Sequence, residues 1–366
     1  MTPPRPVYVV SGVAGGGSAG GIATGARNGV GSAALFLHPK GASVDVAAGL
    51  LYIADTGNNL IRSITLASGV VETLAGGGAA NGTTAGRAEG TGSAATFNQP
   101  AGVNFDEVSG CVYVVDTNNN LIRVVTAAGV TSTLAGGGSA LGNATGAANG
   151  VGSAATFKSP RGAAISASGS VLYITDYSNN LVRAIAIPGA TVTTYAGGGS
   201  AGGTALGHAD GAGSAATFSF PLGIAIDLAG TLYVTDSHLI RTIAATSATV
   251  TTLAGGGSAG GTVLGHANGV GSAATFSYPS ALVAINSTGI LYVADGANNL
   301  LRAIELSSAL VRTVAGGNGG ISLGHANGAG TMATFSNLAG VTADRSGMMY
   351  ISEYNNALVR AMTIPF

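Results

Sequence analysis

The chain has 366 residues, of which 62 are glycine and only 8% are charged, and its formal net charge is −1. An ordinary soluble domain has about 25% charged residues, so the composition excludes the basic footprint of a nucleic-acid-binding protein, and no apolar run reaches the length of a membrane-spanning helix. The single cysteine, Cys111, excludes an internal disulfide and a cysteine-based zinc site.

The first predicted element spans Val7–Gly17 and reads VYVVSGVAGGG. Four short runs follow in the first full repeat: GASVD from Gly41, LYIAD from Leu51, LIRSI from Leu60 and VVETLAG from Val70. These runs are rich in valine, isoleucine, threonine and tyrosine, and glycine, asparagine and aspartate separate them. This pattern predicts four β-strands joined by tight turns.

The second and third of these runs recur six times along the chain. They read LYIADTGNNLIRSI from Leu51, VYVVDTNNNLIRVV from Val112, LYITDYSNNLVRAI from Leu172, LYVTDSHLIRTI from Leu232, LYVADGANNLLRAI from Leu291 and MYISEYNNALVRAM from Met349. The starts are 61, 60, 60, 59 and 58 residues apart. A regular period with four strands per repeat is typical of a β-propeller.

The two ends of the chain predict how the ring closes. The sixth repeat stops after its third strand, at ALVRAMTIPF, whereas the N-terminal run matches the fourth strand of the other repeats. We therefore expect the N-terminal strand to complete the last blade, which removes exposed sheet edges. The predicted fold is an all-β, six-bladed β-propeller of four-stranded antiparallel blades, in a single domain over residues 1–366.

The repeat LYIADTGNNLIRSI, with a PxGxxxD run before it and a VxTLAG strand after it, resembles the NHL repeat. The longer stretch GHADGAGSAATFSFPLGIAIDLAGTLYVTD, from Gly207, resembles NHL repeats of the bacterial type. The resemblance covers all six units and implies a propeller. The family includes binding platforms, sensor domains and a minority of enzymes, so the resemblance does not fix a function.

Each repeat contains an acid at the end of its second strand and an arginine in its third. The acids are Asp55, Asp116, Asp176, Asp236, Asp295 and Glu353, and the arginines are Arg62, Arg123, Arg183, Arg241, Arg302 and Arg360. The spacing is seven residues, except in the fourth repeat, where the turn is two residues shorter. Because a catalytic site needs asymmetry and these residues are uniform, we expect them to brace the hairpins and the blade interfaces. No catalytic residue is assigned.

The segments between the fourth strand of one repeat and the first strand of the next, here called crossovers, are unusually long. Gly76–Pro100 and Gly197–Pro221 are examples. Strand alternation predicts that the crossovers share one face of the ring, the crossover face, with the turns between the second and third strands. Each crossover carries a phenylalanine at one repeated position, which we interpret as an anchor. The glycine-rich crossovers lack the GxxxxGK[ST] motif of a phosphate-binding loop.

Histidine breaks the repeat within the crossovers. His208, His266 and His325 occupy one position in three successive crossovers, where the second crossover has Arg87. These four residues are the candidates for ligand or partner binding. The histidines have two open interpretations: hydrogen bonds within the loops, or ligands of a divalent metal, for which the resemblance offers the precedent of a histidine-ligated lyase. No cofactor is predicted.

The leading prediction is a non-enzymatic scaffold that presents the crossover face to a protein, a glycan or a second copy of the chain. A surface with so few charges gives little repulsion between molecules. The alternatives are a metal-dependent lyase or lactonase, as the resemblance to enzymatic six-bladed propellers implies, and a sensor domain of a longer protein. Low charge favours an extracellular or cell-surface location, although the first residues lack the layout of a signal peptide.

Overall fold

A computed structural model describes residues 8–140, 142–317, 320–344 and 346–364. It contains six sheets, each with five strands. The first of the four predicted strands of each repeat contacts its counterparts in the two neighbouring repeats. These six strands, here called the first strands, form a closed ring around a central axis, and the remaining strands lie outward. This confirms the predicted six-bladed β-propeller.

The strands of each blade follow in chain order. Blade 1 has β2 (Gly29–Val30), β3 (Pro39–Asp45), β4 (Leu50–Asp55), β5 (Leu60–Thr65) and β6 (Val70–Gly76). Blade 2 has β7 (Gly90–Thr91), β8 (Gly102–Asp106), β9 (Cys111–Asp116), β10 (Leu121–Val125) and β11 (Val130–Gly136). Blade 3 has β12 (Gly150–Val151), β13 (Ala163–Ile165), β14 (Val171–Asp176), β15 (Leu181–Ala186) and β16 (Thr191–Gly197).

The second half of the ring repeats this order. Blade 4 has β17 (Gly211–Ala212), β18 (Pro221–Ile226), β19 (Leu232–Asp236), β20 (Leu239–Ile243) and β21 (Thr249–Gly255). Blade 5 has β22 (Gly269–Val270), β23 (Pro279–Ile285), β24 (Ile290–Asp295), β25 (Leu300–Glu305) and β26 (Leu310–Gly316). Blade 6 has β27 (Gly328–Ala329), β28 (Leu338–Ala343), β29 (Met348–Glu353), β30 (Leu358–Thr363) and the N-terminal β1 (Val9–Gly15).

The helical segments in the described ranges are single 3₁₀ turns of three residues. Those in the crossovers are Gly31–Ala33, Gly92–Ala94, Gly152–Ala154, Gly213–Ala215, Gly271–Ala273 and Gly330–Met332. Those between the second and third strands are Thr56–Asn58, Thr117–Asn119, Tyr177–Asn179 and Gly296–Asn298. Within these ranges, none has the length and apolar character needed to cross a membrane.

Each blade has one strand more than the four predicted. The additional strand is a two-residue segment of the crossover, such as β2, which pairs with the outermost strand β6 of its own blade. The Gly31 amide then donates to Gly69 O, in the turn before β6, at 2.8 Å. The crossover therefore runs along the outer edge to the opposite end of the blade before it turns inward, because it is long enough to cover that edge.

The ring closes through the N-terminal strand, as the sequence predicts. β1 pairs antiparallel with β30, with Val10 opposite Met362 and Ala14 opposite Val359. On its other side, Val9 and Val10 pair with β27. The part of the predicted N-terminal strand at Val7 lies outside the described residues. The chain thus joins its first strand to its last blade, and both edges of β1 are paired.

The hydrophobic core is divided into six clusters, each between two neighbouring blades. The cluster between blades 6 and 1, for example, combines Tyr350 and Val359 with Ile53 and Ile64. Each cluster also contains a fully buried phenylalanine from the crossover, and these are Phe36, Phe97, Phe157, Phe218, Phe276 and Phe335. Neighbouring blades diverge as they extend from the axis, and the phenylalanine rings of the crossovers fill the wedge-shaped gap between them.

The glycine that ends each outermost strand permits this packing. Gly76 has a φ of +108°, and a Cβ atom there would lie 2.6 Å from Asn59 O and 3.0 Å from the Phe97 ring. Only glycine tolerates this backbone conformation together with so close an approach. The AGG sequence at the end of each outermost strand is therefore a packing requirement of the crossover.

The closure can be tested with two neighbouring valines of β1. Val10 is 1% exposed and packs in the cluster of blades 5 and 6, whereas Val9 is 46% exposed. We predict that Val10→Ala lowers the free energy of unfolding by about 2 kcal/mol through the lost packing, and that Val9→Ala changes it by less than about 0.5 kcal/mol. Urea unfolding measures both. Equal effects would show that β1 is not packed as described.

Candidate functional site

The acid and the arginine of each repeat form an ion pair within one blade, and both side chains are buried. The N–O distances are 2.8 Å for Asp55–Arg62, 3.1 Å for Asp116–Arg123, 2.9 Å for Asp176–Arg183, 2.7 Å for Asp236–Arg241, 2.9 Å for Asp295–Arg302 and 2.7 Å for Glu353–Arg360. In every pair both side chains are at most 1% exposed. A ligand in solution therefore cannot reach these charges.

The arginine also attaches the crossover to its blade. In blade 3, Arg183 Nη1 donates to Thr156 O at 3.1 Å, and Nη2 donates to Ala148 O at 3.0 Å and to Asn149 Oδ1 at 2.9 Å. Its guanidinium carbon lies 5.3 Å from the centre of the Phe157 ring. Bonds from the guanidinium to crossover carbonyls recur in all six blades.

The acid binds the same crossover from the other side. Asp176 Oδ1 accepts from the Lys158 amide at 2.7 Å, and Oδ2 accepts from Asn179 Nδ2 at 2.8 Å. Asn179 Nδ2 also donates to Gly146 O at 2.6 Å. Burial raises the pKa of the Asp176 carboxyl to about 6, and these donors together with the guanidinium limit the rise. The carboxyl is therefore mostly ionised at pH 7, and the pair is intact.

Blade 4 departs from this arrangement because its turn is two residues shorter and lacks the asparagine. His208, from the crossover, lies with Nδ1 3.3 Å from Asp236 Oδ2, close to the carboxylate oxygen that the asparagine binds in the other blades. His208 is 28% exposed. The sequence shows that the turn of blade 4 is two residues shorter. It does not predict the contact between His208 and Asp236.

The other predicted site residues lie apart from one another. His266, His325 and Arg87 are exposed on separate crossovers, and the His325 carbonyl accepts from Arg360 Nη1 at 3.3 Å. Within the described ranges, no three histidine, cysteine, aspartate or glutamate side chains lie close enough together to hold a metal ion. His208, His266 and His325, the candidate ligands of a divalent metal, therefore do not form a metal site in this arrangement.

Sequence reasoning missed the central channel, a cavity of about 740 Å³ that the six first strands line. At its crossover end, one repeated position at or just before the start of the first strand differs from blade to blade. The six residues are Lys40, Ala101, Arg161, Leu222, Ser280 and Ala339. A comparison of the repeats at this position identifies the two cations, because the other four residues are uncharged.

Tyrosine rings lie beside both cations of the channel. Lys40 Nζ lies 5.3 Å from the centre of the Tyr354 ring, which stacks on His38 at 4.3 Å. The Arg161 guanidinium lies 5.2 Å from the centre of the Tyr177 ring. Burial and the charge of Arg161 lower the pKa of Lys40 to about 8. The channel mouth is therefore cationic and aromatic.

A second feature of the crossover face is a group of exposed aliphatic side chains on three successive blades, here called the crossover patch. It consists of Leu206, Val263, Leu264, Ile321 and Leu323, which are 47% to 68% exposed. Leu264 and Leu323 each precede a glycine whose carbonyl accepts from the turn asparagine, which places them on the crossover face. The first three crossovers have threonine or alanine where the leucines occur.

Comparison with known proteins found relatives that contain the same repeat. No family model matches the chain. It is 31% identical over 280 residues to protein SUPPRESSOR OF QUENCHING 1, chloroplastic, of Arabidopsis thaliana, covering 75% of this chain and 25% of that protein. It is 30% identical over 168 residues to NHL repeat-containing protein 2 of Bos taurus, covering 44% of this chain and 22% of that protein. The chain thus spans about a quarter of the length of these relatives.

Solved structures share the fold at low sequence identity. An auxiliary nutrient binding protein from Bacteroides thetaiotaomicron superposes with a TM-score of 0.68 at 15% identity, over 97% of this chain and 76% of that chain. A gluconolactonase from Xanthomonas campestris superposes with a TM-score of 0.58 at 14% identity, over 90% of this chain and 87% of that chain. At these identities the likeness establishes the architecture alone.

The structural role of the ion pairs can be tested by removing one arginine. We predict that Arg123→Met lowers the free energy of unfolding by about 3–5 kcal/mol, because it leaves the Asp116 carboxylate buried without its partner. The control is Arg312→Met, which removes the partly exposed pair with Glu305, 3.8 Å apart, and should cost less than about 1 kcal/mol. Denaturant unfolding of both variants measures the difference. Similar losses would contradict the assigned role.

Proposed function

The chain is an NHL-repeat six-bladed β-propeller, and from this we propose that it is a non-enzymatic binding scaffold that presents its crossover face to a partner. The partner is a protein, a glycan or a second copy of the chain. The observation that carries this proposal is the crossover patch, which exposes large aliphatic side chains on three adjacent blades. Exposed apolar side chains concentrated on one face are typical of interaction sites.

The use of the repeated charges also supports a scaffold. All six repeated carboxylates are buried, and each accepts hydrogen bonds from its arginine and from the crossover backbone. A general acid or base must instead reach a substrate proton. These groups hold the crossovers in place, which keeps the patch side chains in a fixed arrangement and lowers the entropy lost on binding.

The crossover patch can be tested with two matched triple variants. We predict that the wild type associates as its concentration rises, and that Leu206→Ser, Leu264→Ser and Leu323→Ser together abolish this association. The control replaces Val30, Val151 and Val270 with serine, since these valines are 59% to 62% exposed but lie in the edge strands of the outer rim. Sedimentation velocity measures all three proteins. A wild type that stays monomeric and recovers no partner in pull-down would contradict the proposal.

The alternative function, a metal-dependent lyase or lactonase, makes a different prediction. It requires a divalent metal bound in stoichiometric amount, whereas the scaffold requires none. We expect elemental analysis of the purified protein to find less than about 0.1 metal ion per chain, because the residues that the structure describes assemble no group of ligands to retain one. One metal per chain that is lost on substitution of His208, His266 and His325 by alanine would favour the enzyme.

A further inference from the structure

The channel mouth carries two positive charges that are paired with no acidic group in the described part of the chain. Lys40 and Arg161 come from blades 1 and 3, and both line the crossover end of the channel. In the described parts of the chain, neither side chain has a carboxylate within ion-pair distance, whereas all six repeat arginines do. In the described residues, Lys40 and Arg161 thus differ from the six repeat arginines, which form buried ion pairs that stabilise the blades.

The acids that line the channel lie at its other end. Asp106, Glu107 and Asp227 occur at or just after the ends of the first strands, whereas Lys40 and Arg161 lie near the starts. Five residues of extended strand separate these levels by about 17 Å. The channel is therefore electrostatically polarised, with its positive end on the crossover face, and the two cations repel each other without relief.

Arg161 has hydrogen-bonding capacity that the protein does not use. Its guanidinium donates to no acceptor in the described residues, and Nε is buried without a partner. Burial lowers the pKa of Arg161, and burial together with the Arg161 charge lowers that of Lys40. Two partly desolvated cations with unused donors are costly, and an oxyanion bound between them would satisfy both.

The dimensions and the walls of the channel restrict what else the ligand contains. A cavity of about 740 Å³ is in the range that holds a small organic molecule. Below the cations its wall combines half-buried aliphatic side chains such as Val44 and Ile226 with polar ones such as Asn104. The rings of Tyr354 and Tyr177 lie beside the cations. These surfaces suit a flat or apolar body attached to the anionic group.

We propose that the crossover end of the channel binds a small organic anion, whose carboxylate or phosphate group lies between Lys40 and Arg161 and whose flat body extends into the channel. This site is separate from the crossover patch and does not depend on the scaffold proposal. Carboxylates and phosphate esters share the chemistry that the two cations recognise, and matched probes distinguish them.

The chain contains only two lysines, Lys40 and the exposed Lys158, which allows a direct measurement. Reductive methylation with ¹³C-formaldehyde gives each lysine an NMR signal whose pH titration reports its pKa. We expect Lys40 to titrate near pH 8, and the Lys158 signal serves as the internal reference. Benzoate or phenyl phosphate should raise the pKa of Lys40 and leave the Lys158 signal unchanged, and neutral benzamide should change neither signal.

Calorimetric titration with the same probes tests the site by substitution. We expect Lys40→Gln and Arg161→Gln each to weaken binding of the tighter anionic probe at least tenfold. Lys158→Gln, which removes an equal charge from the same face, should change the affinity less than twofold. The Leu206, Leu264 and Leu323 serine variant should bind the probe as the wild type does, whatever its effect on association.

Thermal unfolding of the same variants separates a binding role from a structural one. Because the two cations repel each other in the unliganded protein, Lys40→Gln and Arg161→Gln should leave Tm unchanged or raise it. The proposal is overturned if benzamide binds as tightly as benzoate, if neither anionic probe binds at millimolar concentration, if Lys158→Gln weakens binding as much as Lys40→Gln, or if both site variants lower Tm by several degrees.

Discussion

The buried guanidinium in the third strand of each blade is the interaction on which the rest of the structure depends. It neutralises an equally buried carboxylate, donates to carbonyls of the crossover and faces the crossover phenylalanine. A crossover of about 25 residues that is rich in glycine loses much conformational entropy when it becomes ordered. It buries few large side chains of its own, so the charged network and one aromatic ring must offset that loss.

This constraint explains the unusual composition. Six of the 14 basic and six of the 15 acidic residues are used in the interior of the blades, which leaves a surface with few charges. The charged residues that recur in every blade have a structural role. The residues named next, which differ from blade to blade, lie on accessible surface. The departures are Lys40 and Arg161 in the channel, the crossover patch on blades 4 to 6, and His208 beside the shortened turn of blade 4.

Much of the architecture could be predicted from the sequence, because the strand signals are short, regular and repeated six times, and the incomplete last repeat indicates how the ring closes. The fifth strand could not, because a two-residue pairing such as Gly29–Val30 leaves no periodicity. The sequence placed the acid and the arginine near each other but did not identify the carbonyls at Thr156 and Ala148 that complete the network. The sequence pattern did not indicate the channel, because Lys40 and Arg161 each occur in one repeat only, at a position where the other repeats have uncharged residues.

The central claim is that repeated charges build the propeller and unrepeated charges bind a ligand. A crystal structure of the protein grown with phenyl phosphate tests it most directly. The account predicts phosphate density at the crossover end of the channel, within hydrogen-bond distance of both Lys40 Nζ and the Arg161 guanidinium, with the phenyl ring directed along the channel. Density for the probe only elsewhere on the molecule, with the channel mouth unoccupied, would contradict it.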